Sequence, residues 1–513
     1  MKFLTLLATL GLPAQASTIT QIHIALAGSD DNGISTGMAV SFQTESDSPS
    51  ASVRYGLSAD SLSSTATATS STYWETYDHH AVLESLEPST QYYYQIVDGD
   101  DVSEVLSFTS APTEKDSVNF AVFGDLGMVN GDSTRKYLTK LSENKEIDLI
   151  YHMGDVGYAD DSFLHLGCYT RFCYEDAWNE FMNAMQPIVT SLPWMTMPGN
   201  HEADCHSPNC MLSSTKRDKL SNFTAYNSRF RMPSEESGGV MNMWHSFNHG
   251  PVHFIALDLE TGFPGAAEET RYVMKSGGFG DQISWLEEDL KKAAESRAVR
   301  PWIVAGGHHP MYNGGRVDSK MQAAIEPLLK KYNVDVFFTG HVHSYERDWP
   351  TFNTTDIVKS YDAPGIPVHV MIGGPGNDEM SDGMRRIMQE IESGEKVDPS
   401  REPTEKWLAG LEAGSKDMIA LSDEDHYGIG RVEANMTHFS FEYVQTADEV
   451  VFDSFVLTKS PLDKMEVPSA DPDQCGNFCD PQFGPGCGPG ACANCREAGL
   501  DAQGAIAYAC QNW

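Results

Sequence analysis

The sequence predicts an α/β protein with a separate antiparallel β-sandwich in front of it, and three observations lead there. Short alternating runs such as "MAVSFQT", "ASVRYGL" and "YYYQIV", set apart by Gly, Ser, Asp and Pro, fill residues 18–113, the texture of an antiparallel sandwich. From about Val118, over residues 116–460, apolar strands alternate with amphipathic helical stretches, which is how an α/β domain reads. From about residue 461 the chain turns rich in Gly, Pro and Cys, too short for an ordinary core, so that stretch must be stapled or disordered. With 513 residues, 40% hydrophobic and 21% charged, the chain is long enough for two or more domains with sizeable cores.

Taken in order, residues 1–16 come first. Lys2, the apolar run Phe3–Leu12 and the small-x-small site Ala14-Gln15-Ala16 read as a secretory signal cleaved near Ser17. No later stretch reaches the roughly 18 continuous apolar residues of a membrane span. The expectation is a secreted protein, and the sequons at Asn222, Asn353 and Asn435 are the matching glycosylation candidates. Ten cysteines fit an oxidising compartment. Cys168 with Cys173 and Cys205 with Cys210 are close pairs that form local bridges or join across. Cys475, Cys479, Cys487, Cys492, Cys495 and Cys510 crowd the tail, and six cysteines allow 15 pairings.

Within the sandwich, "LEPSTQYYYQI" resembles the tyrosine-corner segment of fibronectin type III domains. Nothing chemical gathers there, so a structural or interaction module is expected. In the α/β region "VNFAVF", "IDLIYHM", "PWMTM", "HFIAL", "PWIVAG", "VDVFFTG" and "PVHVMIG" read as buried strands. "DQISWLEEDLKKA" places Ile283, Leu286 and Leu290 at helical spacing, and "MQAAIEPLLKKY" makes another helix before the next strand.

Polar clusters fall where these strands stop. They are Asp125 in "GDLG", Asp155 and Tyr158 in "GDVGY", Asn200, His201 and Glu202 in "GNHE", His308 and His309 in "GGHHPMY", and His341 and His343 in "GHVHSYER". Open α/β sheets build sites at the carboxyl ends of strands, so these termini can converge. Gly124, Gly154 and Gly199 are expected to turn the backbone and permit close approach. In a strand-like stretch His341 and His343 would point to one side. Carboxylate and amide oxygens with imidazole nitrogens suit first-row metals such as iron, zinc and manganese. The net charge of −38 argues against nucleic acid or an anionic membrane as partner. It leaves small phosphate esters open, because a local cation overrides global charge at short range.

These motifs, in this order, resemble the five-motif signature of purple acid phosphatases, within the calcineurin-like metallophosphoesterases. The likeness extends over about residues 20–460, because a β-sandwich also precedes the catalytic domain in the high-mass plant and fungal enzymes. The resemblance implies a metallophosphoesterase β-sheet sandwich flanked by helices. It also implies that Asp125, Tyr158 and His343 hold Fe(3+), while Asp155 bridges it to a divalent ion (zinc, manganese or iron) on Asn200, His308 and His341. His201 would bind phosphate or protonate the leaving alcohol, and Glu202 and Asp160 would orient ligands or bound water. In the H-x-P-x-Y pattern His308 is the ligand. His309, at the variable position, would touch phosphate or lie at the surface. Plant relatives carry a further histidine pair shortly after Tyr312, whereas "NGGRVDSK" has none, with Arg316 the substitute at hand. The implied reaction is hydrolysis of small phosphate monoesters by a metal-bound hydroxide, with no phosphoenzyme and with inversion at phosphorus. Phosphodiester or nucleotide hydrolysis is the alternative within the superfamily, and a non-catalytic secreted binding protein the alternative outside it. The tail could anchor the protein, shield the site or mediate a homodimer.

Overall fold

The structure, a computed structural model, describes residues 19–30, 33–48, 50–164, 167–168, 171–205, 207–266, 276–377 and 411–459. The signal segment and the six tail cysteines lie outside them. The N-terminal sandwich packs a four-stranded antiparallel sheet, containing Thr20–Ala27, Gly37–Thr44 and Tyr77–Leu83, on a second one built around Ser52–Gly56 and Gln91–Asp98. Alternation puts Val40, Val53, Tyr94 and Ile96 in its core. Tyr92 makes the corner foreseen in the sequence, its hydroxyl accepting the Glu87 N–H at 3.0 Å.

The second region is two sheets face to face. One runs in the order Trp194–Met197, Leu149–Met153, Val118–Phe123, Gly428–Ala434, His438–Gln445, Val450–Thr458. The other runs His245–His249, Val252–Leu257, Trp302–Gly307, Val336–Thr339, Val368–Ile372, Tyr345–Asp348, Ile419–Asp423. Neighbours among the first three strands of the former are parallel, as are Val252–Leu257, Trp302–Gly307, Val336–Thr339 and Val368–Ile372 in the latter. All seven strands read from the sequence are these parallel ones. Being buried on both faces, they read as continuous apolar runs rather than alternating ones. Phe120 meets Phe254 edge-on across the sheet interface at 4.9 Å, and the Tyr151 hydroxyl donates to the Ile255 carbonyl at 2.6 Å.

Helices cover the outer faces. Gln282–Glu295 buries Leu286 and Leu290, leaving Ile283 partly covered, and starts at Asp281, whose Oδ1 accepts the Ser284 N–H at 3.0 Å. Ser319–Lys331 starts likewise at Asp318, two residues before the expected "MQAAIEPLLKKY". Helix Tyr174–Val189 covers the other sheet and carries the sandwich on its far side. Ile22 N–H donates to Gln186 Oε1 at 2.9 Å, and Ile24 bridges Pro193.

The seam between the two regions holds a buried polar knot. Arg229, 2% exposed, donates to Tyr73 Oη at 3.0 Å, Gln21 Oε1 at 2.7 Å and Glu175 Oε2 at 2.8 Å. Tyr73 Oη in turn donates to Glu175 at 2.7 Å, so sandwich and second region share one network. The two loop cysteine pairs are local, Cys168 with Cys173 and Cys205 with Cys210.

Candidate metal centre

The loops after five parallel or paired strands deliver the seven singled-out side chains to one buried spot. Asp125, Asp155, Asn200, His308, His341 and His343 are at most 2% exposed, and Tyr158 is 9% exposed. Local backbone does the aiming. Asp125 (φ 61°), Asp155 (φ 49°), Tyr158 (φ 51°) and His341 (φ 70°) all lie in the left-handed region. Side chains other than glycine rarely stay there, at a cost of about 1–3 kcal/mol each, and such residues gather at functional sites. Of the three glycines expected to turn, only Gly154 has positive φ, at 73°. Gly199 is extended and serves close approach, since a Cβ there would sit 2.3 Å from Asp155 N and Oδ1. The expectation of a strand through "GHVH" is corrected: the strand ends at Thr339, and His341 and His343 ride on bends. With His341 left-handed, pleat alternation does not govern where the two rings point.

The donor atoms fall into two trios. In one, Tyr158 Oη lies 3.1 Å from Asp125 Oδ1 and 3.1 Å from His343 Nε2. In the other, His308 Nε2 lies 3.1 Å from Asn200 Oδ1 and 3.2 Å from His341 Nδ1. Asp155 Oδ2 sits against the second trio, 2.9 Å from His308 Nε2, while its Oδ1 accepts the His201 N–H at 2.9 Å. His308 Nδ1 faces the Met153 carbonyl at 2.8 Å. A carbonyl only accepts, so this nitrogen carries a proton and Nε2 is the ring atom turned into the cluster. An amide oxygen, a carboxylate and two imidazole nitrogens gather there, a donor set suited to a cation. Burial alone would lower the His308 pKa, but Asp155 and Asp125 outweigh it and hold it at about 10. Asp155 is pulled below the usual carboxylate range by His308 and His201 despite its burial.

A further shell orients these groups. Glu202, 1% exposed, accepts the N–H of Asp155 at 2.8 Å, of Val156 at 2.9 Å and of Gly199 at 2.9 Å, tying two site loops together. Its carboxyl is raised to about 8, by burial first and Asp155 second. Asp160, fully buried, holds His201 Nδ1 with both oxygens at 2.9 Å, and the His201 ring lies 4.4 Å from that of Tyr158. His309 is buried rather than at the surface. Its Nδ1 is 2.7 Å from Glu260 Oε1 and its ring centroid is 3.8 Å from that of His341. Arg316 donates to the Leu411 carbonyl at 3.0 Å, which ties it to a neighbouring strand. Two residues escaped the sequence reading. Glu260 lies in "DLETG" after a strand end, and Asn377 follows "GGPG", its Nδ2 donating to the Asp125 carbonyl at 3.1 Å. Only their place after apolar strands signals them.

We expect Asp160→Asn to lower kcat by about 10–100-fold with little change in metal content, since Asp160 acts through His201. Steady-state kinetics alongside metal analysis check this, and an unchanged kcat would sink the positioning role.

Two sheets with helices outside, and a histidine and carboxylate cluster at their strand ends, define a calcineurin-like phosphoesterase, and the model of that family matches residues 118–345. The chain belongs to the purple acid phosphatases. The model of their N-terminal domain matches residues 19–110, and that of the iron/zinc purple acid phosphatase-like C-terminal region matches 402–454. Acid phosphatase A of Cryphonectria parasitica is 30% identical over 88% of this chain and 93% of its own. Probable purple acid phosphatase 20 of Arabidopsis thaliana is 32% identical over 84% and 85%. A purple acid phosphatase from yellow lupin (Lupinus luteus) seeds shares the fold with a TM-score of 0.62 and 18% identity, over 86% of this chain and 74% of that one.

Proposed function

We propose that the chain is a secreted acid phosphatase that hydrolyses small phosphate monoesters at a dinuclear metal site, with residues 116–460 as its catalytic domain, 18–113 as a structural module and 461–513 as a tail. The observation that carries the reading is the pair of donor trios, with four of seven side chains held on left-handed backbone. Asp125, Tyr158 and His343 would take Fe(3+), Asn200, His308 and His341 the divalent ion, and Asp155 both. Two bound cations would offset the ester's charge and acidify a water.

The chain's own groups do the rest. Asp160 accepts at His201 Nδ1, so His201 Nε2, 3.7 Å from Asp155 Oδ2, is left to face the phosphate or the leaving oxygen. Glu260 fixes His309 in the same manner, turning a second imidazole edge toward the ester. Glu202 keeps the Asp155 and Gly199 loops at the separation the trios need. The signal-like sequence of residues 1–16 and two disulfides support secretion. Among the described residues no helix is long and apolar enough to cross a membrane. Asn353 is exposed, while Asn222 and Asn435 are half-buried with their side-chain oxygens accepting backbone N–H groups, so glycosylation is assigned foremost to Asn353.

Visible spectroscopy with metal analysis tests the centre. The purified protein is expected to show a phenolate-to-iron absorption band that Tyr158→Phe abolishes, and to turn over aryl phosphate monoesters faster than diesters. A colourless, iron-free and active enzyme overturns the ferric assignment, and faster diester turnover overturns the substrate class.

A further inference from the structure

A cavity of about 320 Å³ opens at the seam between the sandwich and the catalytic domain, lined by Gly28, Ser29 and Ser35 on one side and by Asn248, His253, Lys292, Ser296 and Arg300 on the other, and it shares no residue with the metal centre. Each carboxylate of its lining has at least one oxygen engaged, although Glu236 Oε2 has no hydrogen-bond partner among the described residues. Asp289 takes His253 Nε2 at 2.8 Å and Ser246 Oγ at 2.6 Å. Glu236 takes Arg231 Nη1 at 2.6 Å and the Gly28 N–H at 3.0 Å, and Asp30 takes the Ile34 N–H at 2.8 Å.

Its cations are not engaged in this way. Arg300 is 4% exposed, and its buried Nε has no hydrogen-bond partner among the described residues. Glu114 and Asp30 act on it only at longer range. Lys292 stands exposed at the rim, on helix Gln282–Glu295. Burying a guanidinium without a partner costs stability unless something supplies the missing acceptors. Oxyanions do so well, because a guanidinium presents a planar fork of donors.

We infer that this seam cavity is a binding site for a small oxyanion, with Arg300 at its wall, Lys292 at its mouth, and inorganic phosphate as the smallest member of the class. The cavity has room for a phosphorylated sugar as well as for free phosphate. Occupancy joins the two domains, because the lining comes from both.

Thermal unfolding in graded inorganic phosphate, at constant ionic strength, tests this in an Asp155→Asn background that removes the proposed bridging carboxylate of the metal centre. A rise in Tm of about 1–2 °C is expected at phosphate tenfold above Kd. Adding Arg300→Met should abolish the rise while leaving Tm without phosphate about unchanged, since Arg300 Nε makes no hydrogen bond among the described residues. Adding Lys292→Met, at an exposed position, should weaken phosphate affinity several-fold and decides the matter if Arg300→Met fails to fold. The same rise in all three proteins overturns the site, as a general salt effect would produce. No rise in the Asp155→Asn protein also overturns it. Repeating the titration with glucose 6-phosphate tells a free-phosphate site from one built for phosphorylated sugars.

Discussion

Asp155→Asn is expected to cost at least about 10³-fold in kcat/KM, equivalent to about 4 kcal/mol of transition-state stabilisation, and to release metal at the same time. The side chain is nearly isosteric, so the fold should survive; what is lost is charge. Asp155 is 1% exposed, and its Oδ2 lies 2.9 Å from His308 Nε2 and 3.7 Å from His201 Nε2. An amide there supplies one neutral oxygen in place of two anionic ones, and its NH2 would point donors at atoms arranged to receive a cation. Metal analysis and kinetics on the same preparation check the result. Retained metal with retained activity would refute the bridging role, and retained metal with lost activity would limit Asp155 to catalysis.

The largest effect on stability is expected from Arg229→Ala. Truncation leaves the half-buried Glu175 against Tyr73 without its cation and strips Gln21 Oε1 of a donor. Removing one partner of a buried ion pair costs about 3–5 kcal/mol, or roughly 3–5 °C in Tm for a protein of this size. Asp78, already raised to about 6 by burial, would lose the attraction of Arg229 that partly counters it. The damage sits on the seam, so calorimetry should resolve a separate low-temperature transition for the sandwich while aryl phosphatase activity persists below it. A single transition at the parent Tm would show that the knot adds nothing.

Much of this was legible in the sequence, for a physical reason. Strands buried on both faces are apolar throughout, so each stops visibly where a polar ligand begins, and "GDLG", "GDVGY" and "GNHE" stand out as strand ends. The residues brought in from elsewhere were not legible. Glu260 and Asn377 carry no motif of their own, and the Gly428–Ala434 strand completes the first sheet beside Val118–Phe123 from some three hundred residues away. Nor does residue type reveal backbone hand. The glycines drew attention as the turning points, whereas Asp125, Asp155, Tyr158 and His341 make the left-handed turns themselves. Arg229, in "NSRFR", carries no motif either, and only the docked sandwich makes it a centre of charge.

Those four left-handed residues bear on any attempt to move this chemistry to another scaffold. The seven side chains could be copied onto the strand ends of a different sheet, but on ordinary right-handed or extended backbone their Cα–Cβ bonds would leave in other directions. The donor atoms would then miss one another. What has to be transplanted is the set of turns, with Gly154 and Gly199 close enough for Asp155 to pass between loops, and the host must be rigid enough to keep two aspartates, a tyrosine and a histidine where glycine would be more at ease.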